Sequence, residues 1–172
     1  WADDLAAFCD ALQIEAPEGA VKEESPAAIA VLRTLAARIA EQGGALLAID
    51  YGAEAPAEGG GDTLQALRGH APEDPLARPG EADLTAHVDF GALGAAARAE
   101  GCAAALTSQG ALLERLGLPA RARALARAAR DEAGVDAELE AHRRLAHPDE
   151  MGTLFKALAV WPQGAARPPG FS

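Results

Sequence analysis

A run of five apolar residues, at positions 45–49, stands between Gly44 and the sequence Asp50-Tyr51-Gly52. A strand covered on one face alternates apolar and polar residues, whereas an uninterrupted apolar run is typical of a strand buried on both faces. The run and its glycine boundaries therefore predict a doubly buried strand. In open α/β sheets ligands bind beyond the carboxyl ends of the strands, so Asp50 lies where chemistry is expected.

The residues before this strand predict a helix. Ser25 is a typical N-cap and Pro26 suits the first helical position. Apolar residues recur at helical spacing over 29–39, and Gly43-Gly44 ends the pattern. A helix, a short turn and a buried strand in succession indicate an α/β fold.

The rest of the chain predicts two more strands, at about 103–107 and 153–161, and several further helices. Those helices are expected at about 1–12, 91–100, 112–116, 119–133 and 135–146. A sheet of only three strands is too small to surround a strand that is apolar on both faces, so we expect further neighbouring strands in a missing segment. The first residue, Trp1, fits a truncated chain, a processed one, or disorder ahead of it.

A long segment at 53–86 is rich in glycine, proline and aspartate and predicts little regular structure beyond a helical turn or two at 64–69. Loops of this length inside a compact domain are usually functional or disordered. The polar residues of this segment are varied, which favours a function.

The formal net charge of −11 repels phosphate backbones and anionic lipids, so we expect neither nucleic-acid binding nor membrane insertion. A basic protein partner fits this sign, although acidity that only maintains solubility explains it equally simply. No run approaches the roughly 18 apolar residues of a membrane span. Cys9 and Cys102 lack metal-type spacing and are expected to be small buried or half-buried thiols, which suits the cytoplasm of a bacterium.

Several polar residues could carry chemistry, although no nucleotide-binding or nucleophile motif is present in its proper context. His87 and Asp89 lie two residues apart and point the same way if the chain is extended there. They could position a substrate or cofactor, or bind a metal with His70 and Asp83. The structural alternative is that they bond to loop backbone and that Asp89 caps the next helix.

Three other polar residues have similarly open interpretations. Asp50 and Tyr51 could bind a ligand, or they could simply turn the chain at the end of the strand. Lys156 stands inside an apolar strand. On an edge strand it would prevent aggregation, whereas pointing inward it would need a carboxylate partner.

Several motifs of this chain, in order, resemble those of the MidA-type methyltransferases. The strongest matches are GALLAIDYG at 44–52, GDTLQ at 61–65, PGEADLTAHVDF at 79–90 and MGTLFK at 151–156. Shorter matches include ESPA at 24–27, RGH at 68–70, DPL at 74–76 and SQG at 108–110. The resemblance runs from about residue 19 to residue 171.

This resemblance implies an α/β fold, the C-terminal part of a Rossmann-like class I methyltransferase sheet with helical insertions. The strands at 45–50, 103–107 and 153–161 would be the fifth, sixth and seventh, the last one antiparallel. Residues 1–172 would form the C-terminal half of the domain, with a substrate-side loop at about 53–90 and a helical insertion at about 110–147. The glycine-rich loop for S-adenosylmethionine would precede Trp1, so this segment is not expected to bind the cofactor with ordinary affinity.

The family includes a mitochondrial complex I assembly factor that methylates an arginine, so the resemblance implies a protein arginine methyltransferase acting on a complex I subunit. A second copy of the chain, in a homodimer, is a further expected partner. The implied catalytic residues are Asp83, His87 and Asp89, with Asp89 or Asp83 pairing with the guanidinium and His87 orienting it. The implied substrate-binding residues are Glu24, Asp50, Tyr51, His70, Thr85 and Gln109.

Two rival functions remain open at this point. The chain could be a non-catalytic acidic module that binds a basic protein partner during assembly. Alternatively, it could be a metal-dependent hydrolase built on His70, His87 and Asp89.

Overall fold

The computed structural model describes residue 21, residues 23–55 and residues 62–171. Its five helices in these ranges are α1 (Pro26–Gln42), α2 (Phe90–Ala99), α3 (Gln109–Arg115), α4 (Leu118–Ala128) and α5 (Glu132–Ala146). The strands are β1 (Leu46–Ala53), β2 (Gln65–Arg68), β3 (Ala71–Glu73), β4 (Asp83–Thr85), β5 (Val88–Asp89), β6 (Cys102–Ser108) and β7 (Phe155–Pro162). A π-helical turn, Pro148–Gly152, precedes β7. The predicted helix at 1–12 lies outside the described residues.

The larger sheet has the strand order β5-β1-β7-β6. The last strand, β7, runs antiparallel to both β1 and β6, and β5 runs parallel to β1. This arrangement confirms the predicted α/β fold, the three predicted strands and the antiparallel direction of the last one. Between β1 and β5 the backbones come close, because a Cβ atom at Gly52 would lie 2.2 Å from the carbonyl oxygen of Val88.

One face of this sheet carries the main hydrophobic core, which α1 and α2 cover. The helix α1 begins and ends where the sequence predicted, with Pro26 in its first turn and Gly43 at a φ of 79° after it. Buried side chains from both helices and from β7 meet in this core: Leu32, Ala36, Ile39, Phe90, Leu93, Ala97, Leu158 and Val160.

The opposite face is covered only in part. A smaller core, made of Leu112, Ala157, Ala159, Trp161 and Phe171, lies over β7. On β1, however, Leu47 and Ile49 are 55% and 49% exposed on this face, while Leu46 and Ala48 pack against the main core. The prediction that β1 is buried on both faces is therefore wrong for the chain as described, since nothing within the described ranges covers Leu47 and Ile49.

The segment after β1 contains a second, three-stranded sheet of order β3-β2-β4. The prediction of little regular structure there is wrong, and residues 65–68 form a strand instead of a helical turn. Gly69 and His70 both have positive φ, 58° and 66°, and join β2 to β3 in a two-residue hairpin turn. A histidine in the left-handed region is an uncommon hairpin signal, which explains why the sequence pattern did not show it.

The predicted helices at 119–133 and 135–146 occur as α4 and α5, which pack against each other. The break falls earlier than predicted, because Asp131 caps α5 by accepting a hydrogen bond from the Gly134 N–H at 2.8 Å. No side chain of α5 is fully buried. Within the described part of the chain, no helix combines the length and apolar composition that crossing a bilayer requires.

Candidate substrate site

An aromatic cluster, made of Tyr51, His87 and Phe155, lies at the carboxyl end of β1. The Tyr51 ring makes edge contacts with His87, at a centroid distance of 5.9 Å, and with Phe155, at 5.8 Å. Tyr51 and Phe155 face each other in the β1–β7 register, and the short β5 strand brings His87 beside them. The remaining phenylalanine and tryptophan residues of the described chain, Phe90, Trp161 and Phe171, are buried in the two cores. Tyr51 and Phe155 thus lie outside those cores and meet beside the His87 ring.

A polar contact network holds the backbone of His87. The His87 N–H donates to the Thr63 hydroxyl oxygen at 2.9 Å, and the Thr63 hydroxyl donates in turn to a Glu23 carboxylate oxygen. The other carboxylate oxygen of Glu23 accepts from the Thr63 N–H at 3.0 Å. This network, which we call the Glu23–Thr63 clasp, joins Glu23, three positions before α1, to Thr63, two positions before β2, and to His87, directly before β5.

Asp89 occupies the position that the structural alternative predicted. Its Oδ1 atom accepts a hydrogen bond from the Ala92 N–H at 2.8 Å, which makes it the N-cap of α2. A Cβ atom at Gly91 would lie 2.0 Å from the Glu54 carbonyl oxygen, so the start of α2 is pressed against the end of β1. The cap role is confirmed, and a catalytic role for Asp89 stays a prediction.

Asp50 and Lys156 are cross-strand neighbours on β1 and β7. Since side chains alternate along a strand, they face away from the side that carries Tyr51 and Phe155. The Asp50 carboxylate accepts from the Tyr51 N–H at 2.8 Å, and the Lys156 ammonium donates to the Thr153 carbonyl. Because β7 lies between β1 and β6, the edge-strand interpretation of Lys156 is wrong.

The small sheet separates His70 from His87. His70 lies in the β2–β3 turn, at the end where Asp83 pairs with Leu67, and both are exposed. His87 follows the opposite end, where the half-buried Thr85 pairs with Gln65. At about 3.3 Å per residue the strand β2 alone puts roughly 10 Å between these ends. His70 and Asp83 are thus not part of the aromatic cluster.

The described ranges contain no group of three or more histidine, cysteine, aspartate or glutamate residues that could hold a metal ion. The remaining predicted site residues lie elsewhere. Glu24 is exposed just ahead of α1, beside the Glu23 of the clasp. Gln109 begins α3, and its side-chain amide donates to the Leu145 carbonyl at 3.0 Å, which ties α3 to α5.

The small sheet is stabilised by an ion-pair cluster at Glu73. The Arg78 guanidinium donates to one oxygen of this carboxylate and Arg68 to the other, the latter at 2.9 Å. The hydrogen bonds from Arg78 and then Arg68, with their positive charges, lower the pKa of Glu73 below its usual range, while partial burial opposes them. Glu73 is therefore ionised and holds the β3 end of this sheet at neutral pH.

Sequence reasoning missed Glu23, Thr63 and Phe155 as members of this site. Thr63 and Phe155 belong to motifs at 61–65 and 151–156 that it did single out, so those motifs were the available signal. Glu23 had no comparable signal, because its partner lies 40 residues further along the chain.

The strand order and the antiparallel β7 are those of part of a Rossmann-like methyltransferase fold. Residues 1–108 match a family described as "Putative S-adenosyl-L-methionine-dependent methyltransferase", and the chain belongs to this family. S-adenosylmethionine is accordingly the family's cofactor.

Two protein arginine methyltransferases are similar to this chain in sequence. The mouse protein named protein arginine methyltransferase NDUFAF7, mitochondrial, is 34% identical over 140 residues, which cover 81% of this chain and 31% of the relative. Its homologue from Drosophila melanogaster is 37% identical over 131 residues, which cover 74% of this chain and 29% of that protein. The chain thus spans about a third of the length of these relatives.

A solved structure shares the fold over almost the whole chain. A protein from Burkholderia thailandensis, crystallised with S-adenosyl-homocysteine, superposes with a TM-score of 0.80 and 30% identity. The match covers 98% of this chain and 44% of that protein.

The described residues do not by themselves fit an S-adenosylmethionine site. Such a site needs backbone N–H groups of a glycine-rich turn between a strand and the helix that follows it. Two strands, β5 and β6, lead directly into a helix, but neither junction is a glycine-rich turn with free N–H groups. The Asp89 carboxylate accepts from the Ala92 N–H at 2.8 Å, and the Ser108 hydroxyl accepts from the Ala111 N–H at 3.3 Å.

Proposed function

We propose that this chain forms the C-terminal, substrate-side part of an S-adenosylmethionine-dependent protein arginine methyltransferase. The observation that carries the proposal is the cluster of Tyr51, His87 and Phe155 at the carboxyl end of β1, in a fold that a protein bound to S-adenosyl-homocysteine shares. Residues 53–90 supply the substrate side, and residues 110–147 are a helical insertion. The names of the mouse and fly relatives support an arginine as the acceptor.

The exposed face of β1 supports the assignment to one part of a larger sheet. Leu47 and Ile49 are about half exposed there, and β1 pairs on its second edge only through Gly52 and Ala53. Fully burying such a side chain contributes about 1.5–3 kcal/mol, so this face and edge favour further strands and helices. Those elements would carry the glycine-rich turn that the described residues lack.

The aromatic cluster suits a guanidinium substrate. A guanidinium is attracted to the faces of aromatic rings and stacks on them, and the acidic chain favours a cation. The cofactor would supply an electrophilic methyl group and leave as S-adenosyl-homocysteine, and the guanidinium nitrogen would lose one proton, which a nearby carboxylate such as Asp89 can accept. The residues of this chain would hold the acceptor nitrogen in line and exclude water from it.

The carboxylates have a supporting role in this proposal. Asp89 pairs with the guanidinium and His87 orients it, while Glu24 and Thr85 lie on the substrate path beside the clasp and the cluster. Asp50 faces away from the cluster, His70 and Asp83 lie at the far end of the small sheet, and Gln109 ties α3 to α5, so these four residues have no role in this proposal. The carboxylate of Asp89 already caps α2 through one oxygen, so its second oxygen is the one that would meet the substrate. The substrate protein we propose is a respiratory complex I subunit, bound by a homodimer in the bacterial cytoplasm.

The proposal is tested by mass spectrometry of arginine-containing peptides after incubation with the full-length protein and S-adenosylmethionine. Tyr51→Leu should abolish methylation, and Val31→Ala, on the exposed face of α1, should leave it unchanged. Binding of the peptides without any mass gain would refute methyl transfer and favour a non-catalytic assembly module. Full activity in Tyr51→Leu would remove the aromatic cluster from the substrate site.

A further inference from the structure

We infer that Glu23 and Thr63 are positioning residues for His87, an inference that rests on the proposed role of the aromatic cluster. His87 is exposed, and its ring contacts Tyr51 only through an edge, at a centroid distance of 5.9 Å. The Thr63 hydroxyl accepts from the backbone N–H of His87 at 2.9 Å. The clasp therefore acts on the same residue that completes the cluster.

The chemistry of the three groups sets the direction of every hydrogen bond in the clasp. A backbone N–H only donates, an ionised carboxylate only accepts, and a hydroxyl has a single hydrogen. The hydrogen of Thr63 must therefore point to Glu23, which leaves the oxygen lone pairs for the His87 N–H. Because the bond to the carboxylate is charge-assisted, it polarises the hydroxyl and strengthens it as an acceptor.

The position of the clasp in the chain explains why it can determine where His87 lies. Thr63 bonds to residues 40 positions before it and 24 positions after it. His87 directly precedes β5, which pairs with β1 only at Val88 and Asp89. With so short a strand, the bond from Thr63 restrains the residue that leads into it. Fixing the His87 backbone limits the positions from which its ring can meet Tyr51.

Matched variants of the full-length protein separate this role from general stability. Thr63→Val removes the hydroxyl at nearly constant shape, while Thr63→Ser retains it. Glu23→Gln replaces one acceptor oxygen with an NH₂ group that cannot accept the hydroxyl hydrogen. Thr34→Val and Glu41→Gln make the same chemical changes on the exposed surface of α1.

Two measurements are made on each variant. The first is the position of the His87 imidazole signals in NMR spectra, assigned with His87→Gln. The second is the dissociation constant of N-acetyl-arginine amide. Thr63→Val and Glu23→Gln should shift the His87 signals and weaken probe binding about tenfold, the order expected for one lost charge-assisted bond. Thr63→Ser, Thr34→Val and Glu41→Gln should behave like the wild type.

The outcomes distinguish the clasp from the proposed function. Unchanged His87 signals in Thr63→Val and Glu23→Gln would overturn the positioning role. Shifted signals together with a wild-type protein that does not bind the probe would support the clasp and count against the arginine site. If Thr63→Val does not fold, the comparison of Glu23→Gln with Glu41→Gln decides by the same His87 signals.

Discussion

The two roles of Asp89 can be separated by comparing its replacement by asparagine with its replacement by alanine. Asp89 caps α2 through a 2.8 Å hydrogen bond from the Ala92 N–H. Asparagine is about as good an N-cap as aspartate, whereas alanine loses the cap at a cost of about 0.5–2 kcal/mol. Both changes remove a negative charge next to the helix N-terminus, which stabilises by about 0.3–1 kcal/mol.

These magnitudes predict the free energies of unfolding, measured by urea titration. Asp89→Ala should lower the free energy of unfolding by about 1–3 kcal/mol, and Asp89→Asn by about 1 kcal/mol or less. The same stability in Asp89→Ala as in the wild type would refute the cap as a stabilising contact.

The activity of the Asp89→Asn protein then tests the catalytic role. In the full-length enzyme this variant should lose methyl transfer and keep its affinity for S-adenosyl-homocysteine, measured by calorimetry. Wild-type turnover in Asp89→Asn would show that the carboxylate only caps the helix. Loss of turnover in Asp89→Ala alone would point to the same conclusion.

Two further predictions concern positions inside the fold. Gly52→Ala should destabilise the chain by several kcal/mol or prevent folding, because its Cβ would lie 2.2 Å from the Val88 carbonyl oxygen. The control in the urea unfolding measurement is Gly94→Ala, whose Cβ would meet only the flexible end of the Arg98 side chain. Equal stability of the two variants would contradict the register of β1 and β5. In a Cys9→Ser protein, Cys102 should resist alkylation by iodoacetamide at neutral pH. Its side chain is 1% exposed, its thiol donates to the Ala36 carbonyl, and burial raises the pKa of the thiol. Rapid labelling of the folded protein would contradict this packing.

The sequence alone determined the elements whose signals are local. Pro26 and Gly43 bound α1 because fixed φ angles and left-handed turns are properties of single residues. Asp89 caps α2 because an N-cap needs only a donor three residues away. The apolar runs likewise predicted β1 and β7, and the motif at 79–90 indicated the family.

Only the tertiary structure decided what depends on contacts between distant residues. Leu47 and Ile49 belong to an apolar run, but whether a face of β1 is covered depends on elements far away in the chain. The strand at 65–68 is only four residues long, so its own sequence pattern is too short to identify it. Its backbone hydrogen bonds go to β3 and β4, which lie on either side of it. Glu23 reaches Thr63 across 40 positions, and Phe155 meets Tyr51 through the β1–β7 register. The fold of the whole chain determines which distant residues come into contact, and the sequence near each residue carries no signal of its partner.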